Sequence, residues 1–158
     1  YPGLGAVSGN TDFTTEGILD TTTTLGGAEA GAFDQAITKT DPAMVMMSLA
    51  TYQSIDPNNP AVFSSTIIDG HIRNALKYTG VVISDSMSAE ALSSYDVSQL
   101  GVKLVEAGGD MSCIGQTDYV KPIVDGLNER AKSDPAFASK VTAAATRVMA
   151  LKIKMGLA

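Results

Sequence analysis

The chain has 158 residues, 44% hydrophobic and 18% charged, and carries a net charge of −6. Eleven Lys and Arg against 17 Asp and Glu, with no basic cluster, exclude a nucleic-acid surface. No apolar run approaches the ~18 residues of a membrane-spanning helix, and the single cysteine and single histidine exclude a disulfide framework, a Cys-cluster zinc site and most metal or triad chemistry.

Residues 1–26 read as loop, punctuated by Gly3, Gly5, Gly9, Gly17 and Gly26 around a Thr-rich stretch. A regular alternation follows. Residues 28–40 space Ala32, Phe33, Ala36 and Ile37 as one helical stripe, and Asp41-Pro42 ends it because the residue before proline is pushed out of the α region. Residues 44–49 form a nearly unbroken apolar run, the pattern of a parallel strand buried on both faces. The pattern recurs with a helix over 64–76 carrying Ile67, Ile68 and Ile72, then a strand over 81–84. A helix over 89–107 and a strand over 111–114 come next, and helices over 120–131 and 135–155 close the chain. Strands alternating with helices predict an α/β unit with a parallel sheet and right-handed crossovers. No composition break divides it, so residues 1–158 are expected to form a single unit.

Three parallel strands cannot close a barrel, and as an open sheet they leave two apolar edges unpaired. A complete (β/α)8 barrel needs roughly 250 residues. With a start at Tyr1-Pro2-Gly3 and no initiator Met, we expect the C-terminal part of such a barrel, belonging to something longer.

In parallel α/β folds the site lies beyond the C-terminal strand ends. That rule selects Asp85, which follows Val82-Ile83-Ser84 directly, and the mouth-end loops 50–60, 85–88 and 115–119 with the glycine-rich opening segment. Asp85 there is either a functional carboxylate or the N-cap of the following helix. Asp110 precedes its strand and reads as a turn or cap residue. His71, beside Ile67, Ile68 and Ile72, reads as a packed or surface histidine, and Cys113 as a small core hydrophobe. Asp12, Glu16 and Asp20 in the opening segment supply further carboxylates, and a facing carboxyl pair is the minimum apparatus for glycoside hydrolysis. Gly3-Leu4-Gly5 makes a weak phosphate loop, with neither a complete strand before it nor a helix after it.

Read in order, Pro2-Gly3-Leu4-Gly5, Asn10-Thr11-Asp12, Pro60-Ala61-Val62-Phe63-Ser64, Gly80-Val81-Val82-Ile83-Ser84-Asp85-Ser86-Met87 and Ala107-Gly108-Gly109-Asp110 resemble glycoside hydrolase family 3. The resemblance is to its β-N-acetylhexosaminidase branch, and it runs over nearly the whole chain. It implies a TIM barrel of which this chain holds about strands 6–8, with residues 1–26 as an active-site loop region. It implies that Asp85, closing the seventh strand, is the nucleophile; Asp12 is a candidate acid/base residue on its loop, and Gly3 and Met87 are candidate substrate contacts. The absence of Trp and the Ser86-Met87 pair after the aspartate favour the hexosaminidase over the β-glucosidase branch. The implied reaction is retaining removal of terminal β-linked N-acetylglucosamine, from peptidoglycan fragments or chitin oligosaccharides, with no metal or organic cofactor. The implied partners are a carbohydrate substrate and the N-terminal part of the barrel.

Three departures bear on activity. The family's Lys-His pair directly precedes the Pro-Gly turn, and the chain starts at Tyr1. Thr14 stands where many members have a histidine general acid, and its hydroxyl is far too weak an acid to replace one, so either Asp12 or Glu16 takes the role or the enzyme is slow on poor leaving groups. A histidine common at the end of the sixth strand is here Leu49 or Ala50. Because about three strands of such a barrel leave out five others and much of the sugar pocket, we expect these 158 residues alone to be inactive. Thr14 and Leu49 motivate the alternative of a non-catalytic sugar-binding protein on a decayed barrel. Abundant Thr, Ser and Asp with few Lys incline the reading toward an exported bacterial cell-envelope protein.

Overall fold

The computed structural model describes residues 1–158. In chain order its elements are β1 (Leu19–Asp20), α1 (Ala28–Thr40), β2 (Met44–Met47), β3 (Thr51–Tyr52), β4 (Asp56–Pro60), a π-helix (Thr66–Ala75), β5 (Val81–Ser86), α2 (Val97–Glu106), β6 (Met111–Cys113), α3 (Val120–Ser133) and α4 (Pro135–Lys154). β2, β5 and β6 form one parallel sheet in that order, with Met44 opposite Val81 and Met47 opposite Ser84. This is the expected α/β alternation. No helix is long and apolar enough to cross a membrane.

The sheet packs on its helices through one face. Val45, Met47 and Val82 join the fully buried Ile67, Ile68 and Ile72 in the main core. Residues alternate across a strand, so Met44, Met46, Ile83 and Asp85 lie on the other face, where Met44 and Met46 are 38% and 49% exposed. β2 was expected to be buried on both faces. It is not: Met44 and Met46 are left partly uncovered on the second face, although Val81, paired with Met44 on that face, is fully buried. The Tyr1 backbone lies along the outer edge of β2: Tyr1 N donates to Met46 O, and Ser48 N donates to Tyr1 O at 3.0 Å.

α1 ends where expected, while two later helices differ from expectation for local reasons. α1 ends at Asp41, which adopts a left-handed conformation (φ 44°) and donates its N–H to Ile37 O before Pro42. Of its expected stripe only Ile37 is buried, together with Ala30, while Phe33 is 43% exposed. The segment expected as an α-helix over 64–76 forms i→i+5 bonds instead, as in Gly70 N to Ser65 O and Leu76 N to His71 O, both 2.9 Å. Ile67 and Ile72, five residues apart, then share its inner face. The helix expected over 89–107 is interrupted: a 3₁₀ turn covers Glu90–Leu92, and α2 starts only after Asp96, whose carboxylate accepts from Ser98 N at 2.8 Å. Asp134 caps α4 in the same way, accepting from Ala136 N and Phe137 N with Pro135 in the first turn. Gly126 lets α3 close on α2, since a Cβ there would collide with the Ser98 carbonyl.

Asp110 was expected to be a turn or cap residue and is instead a buried junction. Its side chain is 0% exposed, and it accepts from Arg73 Nη2 on the π-helix at 2.5 Å, Arg147 Nη1 on α4 at 2.9 Å and Val82 N on β5 at 2.8 Å. One carboxylate thus ties two helices and a strand together at the end of the sheet opposite Asp85.

The loop expected over 50–60 contains a hairpin. β3 pairs antiparallel with β4 and parallel with β1, making a second small sheet at the mouth end. Two hydrogen-bonded carboxylates hold it. Asp20, fully buried, accepts from Thr22 N, Thr23 N and both threonine hydroxyls. Asp56 accepts from Ser64 Oγ at 2.7 Å and from Asn59 Nδ2. Burial pushes both pKa values up, but the donated hydrogen bonds outweigh it and hold both below the ordinary carboxylate value. A depressed folded value means the stabilisation is complete above the unfolded value of about 3.9 and is lost as pH falls through the lower folded value. Thermal denaturation scanned from about pH 6 to about pH 3 should therefore show an acid limb confined to pH below about 4, and Asp20→Asn should flatten it. An unchanged limb in that variant would remove Asp20 from the account.

Candidate active site

Asp85 ends the run Val81-Val82-Ile83-Ser84 at the mouth end of β5, on the sheet's open face. It lines a largely apolar cavity of about 380 Å³ together with Tyr1, Gly3, Met46 and Ser48. Its Oδ1 accepts from Ser86 N at 2.8 Å, while Oδ2 meets no protein donor and is available to a ligand. The N-cap role open to Asp85 falls to other residues, since the next α-helix begins at Val97 behind Asp96.

The backbone beside Asp85 is irregular in a specific way. Ile83 pairs with Met111 and Ser86 with Cys113, so three steps along β5 face two along β6. The extra residue makes a β-bulge over Ser84-Asp85. Ser84, fully buried, turns its hydroxyl to the opposite strand and accepts from Cys113 N at 2.9 Å, while Cys113 O accepts from Met87 N at 2.8 Å. Beyond the strand end, the Ser86 and Ser88 hydroxyls lie 3.1 Å apart.

The loop carrying Asp12 is closed at its neck by Ser8 N and Gly9 N, both donating to Gly17 O. It rests on the turn after β5 through Glu90 N to Asp12 O at 3.2 Å and Ala91 N to Thr11 O at 3.0 Å. The structure thus brings this loop against the segment that follows Asp85. The side chains of Asp12 and Glu16 are exposed and do not line the Asp85 cavity. Thr14 Oγ is engaged locally, accepting from Glu16 N at 2.9 Å, and Phe13 stands 79% exposed at the loop tip.

Gly3 does line the cavity. Its φ of +120° favours glycine, and a Cβ there would press on Phe33 Cε2 at 3.2 Å. Its carbonyl accepts from the hydroxyl of the fully buried Tyr52, whose pKa burial pushes up to about 12. Met87, expected to touch substrate, is 1% exposed within the main core and supplies packing beneath the mouth. His71 is packed, but with a definite partner: Nε2 lies 2.9 Å from Asp34 Oδ2 on α1, and the ring stacks on Tyr1. Asp34 also accepts from the Tyr1 hydroxyl at 2.8 Å, and burial together with Asp34 raises the phenol's pKa. Tyr52 and Ser84 were missed from sequence. The only signal for Ser84 was a small hydroxyl residue inside an apolar strand, directly before the strand-end aspartate.

Residues 1–151 match the family model of the glycosyl hydrolase family 3 N-terminal domain. Among curated proteins, an uncharacterised secreted glycosyl hydrolase of Arthroderma benhamiae is 32% identical over 118 residues, covering 70% of this chain and 32% of that protein. Among solved structures, the β-N-acetylhexosaminidase of Beutenbergia cavernae superposes with a TM-score of 0.88 at 36% identity, covering 96% of this chain and 45% of that one. The family 3 β-N-acetylglucosaminidase of Paenibacillus sp. FPU-7 gives a TM-score of 0.85 at 25% identity, covering 99% of this chain and 30% of that one. The chain therefore spans less than half the length of each of these relatives.

Proposed function

The chain belongs to glycosyl hydrolase family 3, and from that premise we propose that it is the part of a β-N-acetylglucosaminidase barrel that bears the nucleophile. The reaction is retaining hydrolysis of terminal β-linked N-acetylglucosamine, from peptidoglycan fragments or chitin oligosaccharides. The observation that carries this reading is Asp85: a strand-end carboxylate lining a cavity, with Oδ2 free of protein donors. The likeness to the Beutenbergia hexosaminidase, which extends over nearly the whole chain, supports the sugar.

In the first step Asp85 Oδ2 attacks the anomeric carbon as the glycosidic C–O bond breaks, and the leaving oxygen takes a proton from a general acid. In the second, water deprotonated by the same group attacks the glycosyl-Asp85 ester and restores the carboxylate. Asp12 is our candidate for the acid, with Glu16 beside it. Either would have to swing from its exposed position on the 9–17 loop toward the cavity as substrate binds. The Thr11 and Asp12 backbone contacts to the turn after β5 provide the pivot.

The exposed position of Asp12 favours one second reading, a sugar-binding protein without turnover. A 2-fluoro N-acetylglucosaminide trap separates the two. In the complete barrel it should leave one stoichiometric label, which peptide mapping finds on Asp85, while the 158 residues alone should release chromogenic aglycone only at the uncatalysed rate. Label on another residue refutes the nucleophile assignment, and sugar binding with no label supports the binder.

A further inference from the structure

We propose that Ser84 is the positioning residue for Asp85, its hydroxyl holding open the β-bulge that aims the carboxylate into the cavity. The proposal rests on the reading of Asp85 as nucleophile and adds a role for a side chain that does not touch substrate.

The bulge inserts one residue into β5 opposite β6, between the Ile83–Met111 and Ser86–Cys113 pairs. Such an insertion breaks the ladder locally and would leave a backbone donor without its partner. The amide concerned is Cys113 N–H, and Ser84 Oγ takes it at 2.9 Å. The carbonyl of the same Cys113 accepts from Met87 N at 2.8 Å, so one residue of β6 is gripped on both sides of Asp85. Ser84 is fully buried and points away from the cavity. An apolar side chain there would leave Cys113 N–H unpaired, and the strand would gain by relaxing toward regular register. A bulge bends its strand and increases the local twist, so losing the extra residue redirects the strand end that carries Asp85 and shifts its carboxylate relative to the cavity. Valine or isoleucine would satisfy the apolar pattern of the strand, whereas the bulge requires a small side chain with an acceptor.

The test compares Ser84→Ala, Ser84→Thr and Val102→Ala in the complete barrel. Val102, in the cluster with Val105 and Phe137, serves as a control for lost stability. Ser84→Ala should lower kcat on the order of 10- to 100-fold, as an ångström-scale misplacement of a reacting group does, with KM within about twofold. The rate of 2-fluoro labelling should fall in parallel. Val102→Ala should lose thermal stability with kcat unchanged, and Ser84→Thr, which keeps the acceptor, should recover most of the rate. If the threonine variant does not fold, the alanine and Val102 variants decide alone. Wild-type labelling on Asp85 with an undiminished rate in Ser84→Ala overturns the positioning role and leaves the nucleophile standing. Wild-type label elsewhere overturns the nucleophile reading itself.

Discussion

Asp85→Asn in the complete barrel is expected to lower kcat by on the order of 10,000-fold or more, the scale on which loss of a covalent nucleophile acts. The amide keeps the volume of the carboxylate and can still accept from Ser86 N, so the cavity and the fold should persist, and KM should change far less than kcat. Asp85→Gly gives a second readout. With the side chain gone, azide can enter from the face Asp85 occupies and attack the anomeric carbon, yielding the α-glycosyl azide where the wild type yields the β-product. Rates from steady-state kinetics with an activated N-acetylglucosaminide, and the anomer from NMR, check both statements. An Asp85→Asn variant retaining more than a tenth of wild-type kcat would end the assignment.

Asp110→Ala is expected to produce the largest loss of stability in the molecule. The carboxylate is fully buried between two guanidinium groups, and the Arg73 side chain is itself only 10% exposed. Burial lowers the Arg73 pKa against the attraction of Asp110. Removing Asp110 leaves the charge buried without a counterion and the Val82 amide without its acceptor. Breaking such a pair costs about 3–5 kcal/mol, or roughly 6–20 °C in Tm for a domain of this size. Arg147→Met should cost much less, since Arg147 is 34% exposed and Arg73 stays paired. Calorimetric melting of both variants is the measurement, and a loss below about 1 kcal/mol in Asp110→Ala would refute the junction's role. The activity of Asp110→Ala at low temperature should survive, because the junction lies at the far end of β5 from Asp85.

The two residues contrast in how far they could be read from sequence. The position of Asp85 was legible because its signal is local, an apolar strand ending in a carboxylate at the end of an α/β sheet where sites form. That pattern left it open between a functional carboxylate and an N-cap, and only the family resemblance favoured the nucleophile. Asp110 was legible only as a polar residue after two glycines. Its partners Arg73 and Arg147 are each 37 residues away, and no periodicity connects them. The π-helix was missed for a related reason. Ile67, Ile68 and Ile72 satisfy an α-helical stripe and an i→i+5 one alike, and packing against the sheet decides between them.

By itself the sequence determined the three parallel strands, their order with the helices and the end of the sheet where Asp85 sits, since each follows from short-range patterns of apolar and turn residues, while the family was readable only as a resemblance carried by ordered motifs. Tertiary structure alone decided that the strand carrying Met44 and Met46 has a partly open face, that Met87 is core, that Asp12 lies outside the cavity and that Ser84 Oγ accepts from Cys113 N beside the bulge. Those depend on which backbone and side-chain groups meet across the fold, as Ser84 Oγ meets the amide of Cys113 at a separation of 29 residues, and the pattern along the chain carries no record of such meetings.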